Sequence, residues 1–185
     1  MKNILLLLAI IFMVDGISSC ANAQQSDNLK IVLVRHGEKE ATGESLNCQG
    51  LNRALQLPKV ITGKFGTPSV IYVPSLNAKT STTHARMFQT ASPLAIKYSL
   101  SINSKYAVDD YPSLAQSIQA QSGTVLVVWE HKALDNILKA LGVKTKGLKW
   151  GDDDFDSIWI VTYKNGKPVL SMDKEGLHPT ANCQF

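Results

Sequence analysis

Short apolar runs alternate along this chain with longer stretches in which apolar residues recur every three or four positions. Lys30-Ile31-Val32-Leu33-Val34 is a continuous run rich in β-branched residues, Ser69 to Val73 repeats it and stops at Pro74, and Thr124 to Trp129 is a third. Runs of this length, apolar on both faces, predict strands buried inside a sheet. Between them Leu51, Ala54, Leu55, Val60 and Ile61 form a helical stripe, opened by Asn47 as N-cap and carrying Pro58 where the helix is expected to kink or end early. Ala85 to Tyr98, Tyr111 to Gln121 and Lys132 to Leu141 predict three more helices, the last followed by Gly142 as a terminator. Ser157 to Tyr163 and Pro168 to Met172 predict two strands joined at Asn165-Gly166, a strong hairpin signal. Strands alternating with helices predict an α/β fold whose sheet is covered on both faces. The closing hairpin makes that sheet mixed but still mostly parallel, so the expectation is a three-layer αβα sandwich. It forms one domain over 29–185, without internal repeats.

The amino terminus follows a different pattern. Ile4 to Val14 is an unbroken apolar run of eleven residues behind Lys2. A bilayer-spanning helix needs about 20. The run therefore predicts the central part of a signal peptide over residues 1–19. Ile17-Ser18-Ser19-Cys20 then resembles the bacterial lipobox, which makes Cys20 the candidate lipidation site and 20–28 the anchor cysteine with its tether. Ala21-Asn22-Ala23 offers an ordinary signal-peptidase site as the alternative. Either cleavage places the mature chain in the bacterial cell envelope, and lipid on Cys20 would hold it to a membrane.

Composition narrows the field. A chain of 185 residues that is 44% hydrophobic can bury a core, which excludes a disordered scaffold. The net charge of +4 is scattered, not gathered in a stripe. That argues against a nucleic-acid partner and suits a small anionic substrate. Three cysteines are too few for a disulfide-stapled miniature fold. With Cys20 lipidated, Cys48 and Cys183 remain; in the envelope they either pair or stand as unrelated thiols.

The chemistry collects at strand ends. Arg35-His36-Gly37-Glu38 directly follows the first buried strand, and His131 follows the strand ending at Trp129. Ligands of open α/β sheets bind at the carboxyl ends of strands. One histidine there is commonly structural; two, each beside charged residues, point to a shared site.

The chain resembles the histidine phosphatase superfamily, the phosphoglycerate-mutase-like group, over nearly all of 29–185. The R-H-G signature stands as Arg35-His36-Gly37. The L-T-x-x-G-x-x-Q-A helix start stands as Leu46 to Ala54, where Leu46, Gly50 and Ala54 match while Asn47 and Arg53 depart. The R-A-x-Q-T-A motif stands as Arg86 to Ala91, and the late histidine as His131. The resemblance implies a phosphoglycerate-mutase-like fold, a small phosphorylated substrate, no cofactor and no metal. It implies His36 as a nucleophile that becomes phosphohistidine, with Arg35, Arg86 and His131 stabilising charge on the transferring oxygens. Gly37 and Lys39 are the candidate further substrate contacts. The proton donor is left open among Asp109, Asp110 and Glu130, with Glu38 behind them. Asp152-Asp153-Asp154 with Asp156 reads as a solvated loop capping the next strand. Two other functions are weighed against a phosphatase. A mutase would need longer substrate-capping segments after Arg86. A catalytically silent envelope lipoprotein, keeping the fold as an anion-binding or interaction module, would be expected to have lost one of the four residues.

Overall fold

The computed structural model describes residues 28–77 and 82–183. The expected signal peptide, the lipidation at Cys20 and most of the tether lie outside the described residues.

The elements follow in the order β1 (Leu29–Arg35), α1 (Cys48–Phe65), β2 (Val70–Tyr72), α2 (Ala85–Tyr98), β3 (Ile102–Asn103), α3 (Tyr111–Gln119), β4 (Gly123–Trp129), α4 (His131–Ala140), β5 (Ser157–Lys164) and β6 (Lys167–Lys174). The sheet order is β3-β2-β4-β1-β5-β6. Strands β1 to β4 pair in parallel, and β5 runs antiparallel to both β1 and β6. Asn165 and Gly166 both take positive φ, 52° and 71°, and turn β5 into β6. The sheet is thus mixed and mostly parallel.

Successive strand residues point to opposite faces, so a run apolar throughout feeds two cores. Leu29, Ile31 and Leu33 of β1 pack with Leu114 and Ile118 of α3 and Leu134 and Ile137 of α4. Val32 and Val34 pack with Leu57 and Ile61 of α1 and Met87 and Leu94 of α2. These are the two outer layers of the predicted sandwich. Each fully buried leucine or isoleucine contributes about 1.5–3 kcal/mol over its exposed state.

The structure departs from the expected pattern at two places. Helix α1 does not end at Pro58 but runs on to Phe65. An interior proline costs about 3 kcal/mol, and the buried face carrying Leu57 and Ile61 offsets it. The Thr62 hydroxyl also donates to the Pro58 carbonyl (2.8 Å), bridging the turn beyond it. Strand β3 was not anticipated, because two residues carry no readable period. At the far end, Cys48 and Cys183 form a disulfide with Cα atoms 4.9 Å apart. The Asn52 amide grips the carbonyls of Thr180 and Asn182 (2.9 Å each) beside it.

Candidate functional site

Arg35 ends β1 opposite Trp129, the last residue of β4. The next backbone N–H, that of His36, donates to the Trp129 carbonyl (3.0 Å) and continues the ladder one step. His36 therefore leaves the sheet at its carboxyl edge with its backbone fixed. Its side chain is fixed too. Nδ1 lies 2.7 Å from the Gly37 carbonyl, which can only accept, so Nδ1 carries the hydrogen. The lone pair is then on Nε2, and the Arg86 Nε–H donates to it at 3.2 Å. His36 is 2% exposed. Burial, reinforced by the charges of Arg86 and Arg35, lowers its pKa from 6.5 to about 3 against the pull of the Gly37 bond. The imidazole is neutral, in one tautomer, with its Nε2 lone pair accepting from a guanidinium.

The loop after His36 is held by a close backbone approach. A Cβ on Gly37 would sit 2.8 Å from the Gly50 carbonyl oxygen, and one on Gly50 would sit 2.1 Å from that of Glu38. Two glycines from separate motifs are needed because the His36 loop lies directly on the first turn of α1. Asn47 caps that turn by accepting from the Gly50 N–H (2.9 Å), as its N-cap position predicts. The Gly37 N–H donates to Thr90 Oγ1 (2.9 Å), whose hydroxyl donates to the Arg86 carbonyl (2.7 Å). Gln89 Oε1 accepts from the Leu46 N–H (2.9 Å). The residues around Arg86 in its motif thus tie α2 to the His36 loop.

Arg86 sits on the first turn of α2. The preceding His84 takes a left-handed conformation, φ 59°. Glu44 stabilises it there, accepting from the His84 N–H (2.9 Å) and from Arg86 Nη1 (3.1 Å) through one oxygen. The Ser75 carbonyl holds His84 Nδ1 at 3.1 Å. Arg86 therefore reaches His36 through Nε while its Nη1 meets a half-exposed carboxylate.

The other side of the site is built by residues 151–155. Arg35 Nη1 donates to the carbonyls of Gly151 (3.4 Å), Asp152 (2.5 Å) and Asp154 (3.2 Å). Its guanidinium lies 3.8 Å from the centre of the Phe155 ring. Burial lowers the Arg35 pKa, and the carboxylates of Asp152, Asp154 and Asp153 oppose the fall. His131 opens α4, and its Nε2 meets Asp152 Oδ1 at 2.8 Å. Its Nδ1 and the Arg35 Nε are buried without a hydrogen-bond partner.

Arg35, His36, Arg86 and His131 are thus gathered at one end of the sheet, their charges acting on the His36 ring. The other expected residues are engaged as follows. Gly37 does not offer its N–H to a substrate, because Thr90 takes it. Lys39 turns its ammonium to the Glu40 carbonyl (3.1 Å). Asp110 caps α3 by accepting from the Ser113 N–H (3.3 Å), and it lines a surface depression with Lys105 and Gln116. Asp109 is exposed. Glu130 is the N-cap residue of α4, in extended backbone (φ −85°, ψ 140°), and makes no side-chain cap bond. Glu38 is buried against Arg53, with Nη2 at 2.8 Å, and Arg53 Nη1 meets Glu175 at 2.6 Å. The acidic run caps β5 as expected through Asp154, which accepts from the Asp156 and Ser157 N–H groups (2.9 Å each). Asp152 in the same run instead reaches His131. Among the described residues no group of three or more histidine, cysteine or acidic side chains is arranged for a metal ion.

Glu44, Thr90 and Phe155 were not singled out by sequence reasoning, and Asp152 was read only as part of a solvated capping loop. Thr90 carried a signal, lying inside the motif around Arg86. Glu44 carried none, standing in a polar loop.

No protein-family model matches the chain, and no curated protein matches it. Solved structures do. The protein histidine phosphatase SixA complexed with tungstate superposes with a TM-score of 0.56 at 15% identity, over 79% of this chain and 97% of that one. The fold is that of the histidine phosphatases. A mycobacterial glucosyl-3-phosphoglycerate phosphatase, solved with inorganic phosphate, superposes at 0.51 with 14% identity, over 78% of this chain and 95% of that one. An Entamoeba histolytica phosphoserine phosphatase, solved with 3-phosphoglyceric acid, gives 0.50 at 16% identity over 78% and 96%. The histidine phosphatase fold accounts for the parallel core of the sheet.

Proposed function

We propose that this protein is a phosphatase that takes the phosphoryl group of a phosphomonoester or phosphohistidine onto His36. The observation that carries the proposal is the state of the His36 ring. Nδ1–H is bound to the Gly37 carbonyl, and the unprotonated Nε2 accepts from Arg86 Nε–H, a bond that an arriving phosphoryl group would replace. A pKa lowered to about 3 leaves Nε2 unprotonated near neutral pH. The Nε2 lone pair attacks phosphorus, the ester P–O bond breaks, and the leaving oxygen takes a proton. Water then attacks the phosphohistidine, the P–N bond breaks with its electrons returning to Nε2, and phosphate leaves. Covalent catalysis divides one displacement into two easier ones. Arginine forks match the equatorial oxygens in geometry and charge. The structural neighbours solved with tungstate, phosphate or a phosphorylated acid support the same substrate class.

No metal ion enters this scheme, since the positive charge facing the phosphoryl oxygens comes from Arg35, Arg86 and His131. The envelope location, with a lipid on Cys20, belongs to the same proposal and rests on the pattern of residues 1–20.

The test is His36→Ala assayed on aryl phosphates, phosphoserine and phosphohistidine. Turnover and the acid-labile phosphoenzyme trapped by rapid quenching should both vanish. Turnover retained within tenfold of the parent would reject His36 as the nucleophile.

A further inference from the structure

We infer that Asp152 is a positioning residue for His131: its carboxylate holds the imidazole through Nε2 and supports its charged form, so that Nδ1 is the nitrogen that donates to the transferring phosphoryl group. The inference rests on the phosphatase reading of the same site and assigns a task within it to a loop that reads in the sequence as solvated.

Three observations carry it. The first is the contact itself. Asp152 Oδ1 lies 2.8 Å from His131 Nε2, and a carboxylate oxygen can only accept, so Nε2 carries a hydrogen. The second is the other ring nitrogen. Nδ1 is buried and unpartnered, as is Nε of Arg35, the neighbour whose charge acts on it. Buried polar atoms are nearly always paired, and the exceptions collect where a ligand completes them. The third is the setting of Asp152. Its carbonyl and those of Gly151 and Asp154 grip the Arg35 guanidinium, and Phe155 covers that group from the next position. One short segment therefore orients two of the three groups that would meet the phosphoryl oxygens.

The need for charge follows from counting protons. A neutral imidazole has one ring hydrogen. If Nε2 keeps it for Asp152, Nδ1 presents a bare lone pair to phosphate oxygens, which repels them. Only the imidazolium serves both partners at once. Burial, then Arg35 and Lys132, hold the His131 pKa below its ordinary value, and the bond and charge of Asp152 oppose that fall. His36 stands on the phosphoryl side, and Lys149 and Asp135 line the same cavity of about 350 Å³ as His131 and Asp152. Asp152 is the carboxylate in direct contact. It plays the part that carboxylates play behind catalytic and metal-bound histidines, fixing the ring and favouring its protonated state.

The test separates charge from shape. Asp152→Asn keeps an oxygen that accepts from Nε2–H and keeps the carbonyl that holds Arg35, but it removes the negative charge. With inorganic phosphate present, nitrogen NMR of isotopically labelled histidine in the purified protein reads the protonation of each His131 nitrogen against pH. The parent should carry hydrogen on Nε2 throughout and lose it from Nδ1 as pH rises. In the Asn variant that loss should move to lower pH by about half to one unit, the lower end of what an adjacent opposite charge does. The falling limb of kcat/KM at high pH should move with it. The Asp152 side chain is 85% exposed, so Tm should stay unchanged, which a merely structural role would not require of the pH profile. An unchanged His131 titration in the variant, or hydrogen lost first from Nε2 in the parent, overturns the inference. The parent spectrum alone decides the second point, with no variant needed. If the parent turns over no phosphorylated compound, the phosphatase reading fails while the titration still decides whether Asp152 holds and charges His131.

Discussion

Arg53 and Arg86 lie on neighbouring helices, and each meets carboxylates, but they do so in opposite surroundings. Arg53 is 5% exposed and every arm is taken: Nε and Nη2 on Glu38, Nη1 on Glu175. Arg86 keeps Nε for the nucleophile and shares Nη1 with Glu44, whose side chain is 39% exposed. A buried pair is desolvated once, during folding, and cannot be exchanged afterwards without leaving a charge unpaired. A half-exposed pair contributes little to stability and can be traded for another anion at small cost. The same two residue types therefore build a buried clamp beside the His36 loop in one place and an exchangeable pair in the other.

Arg86→Ala should cut kcat/KM by about 10²–10³-fold, the scale of losing one well-placed donor to a developing charge. Its Tm should fall only slightly. Arg53→Ala should do the reverse, removing about 3–5 kcal/mol of stability by stranding Glu38 and Glu175, seen as an earlier urea midpoint. The contrast breaks if Arg86→Ala melts as early as Arg53→Ala.

The pH dependence of stability sharpens the same comparison. Burial raises Glu175 from 4.5 to about 7, with Asp156 and Glu38 adding to it and Arg53 opposing. A carboxyl raised in the fold contributes its full stability below its unfolded value and loses it as pH climbs through about 7. His36 is lowered from 6.5 to about 3, so its contribution is present above 6.5 and is lost as pH falls toward 3. Tm should therefore peak at weakly acidic pH. Glu175→Gln should flatten the decline on the neutral side and leave the acid side alone.

The smallest expected effect is at Glu44. Glu44→Gln removes the anion that competes for Arg86, and inorganic phosphate should inhibit the variant a few-fold more strongly, as expected for one half-exposed pair. Weaker inhibition would mean that Glu44 chiefly shapes the turn at His84, whose N–H it also holds.

Local signals account for how much of this was legible. The two faces of β1, the Asn47 cap and the Asn165-Gly166 turn each depend on neighbours within a few positions, and the sequence displays those neighbours. The same holds for placing Arg35, His36 and His131, since each lies at or just past the end of a buried strand. The proton donor was harder. Asp109 and Asp110 matched an expected place in the order of motifs, but side-chain direction there is set by the start of α3, where Asp110 serves as a cap.

By itself the chain determined that an apolar strand ends in Arg35-His36-Gly37 and that a second ends just before His131, because periodicity and strand ends are short-range properties. Only the tertiary structure decided which charges face which. Glu175 comes 122 residues along the chain to Arg53, and Asp152 comes 21 residues to His131. No spacing rule links such residues. They meet because the order of strands in the sheet brings several loop ends to one edge. Burial there turns one set of carboxylates into fixed supports, and exposure leaves the others exchangeable.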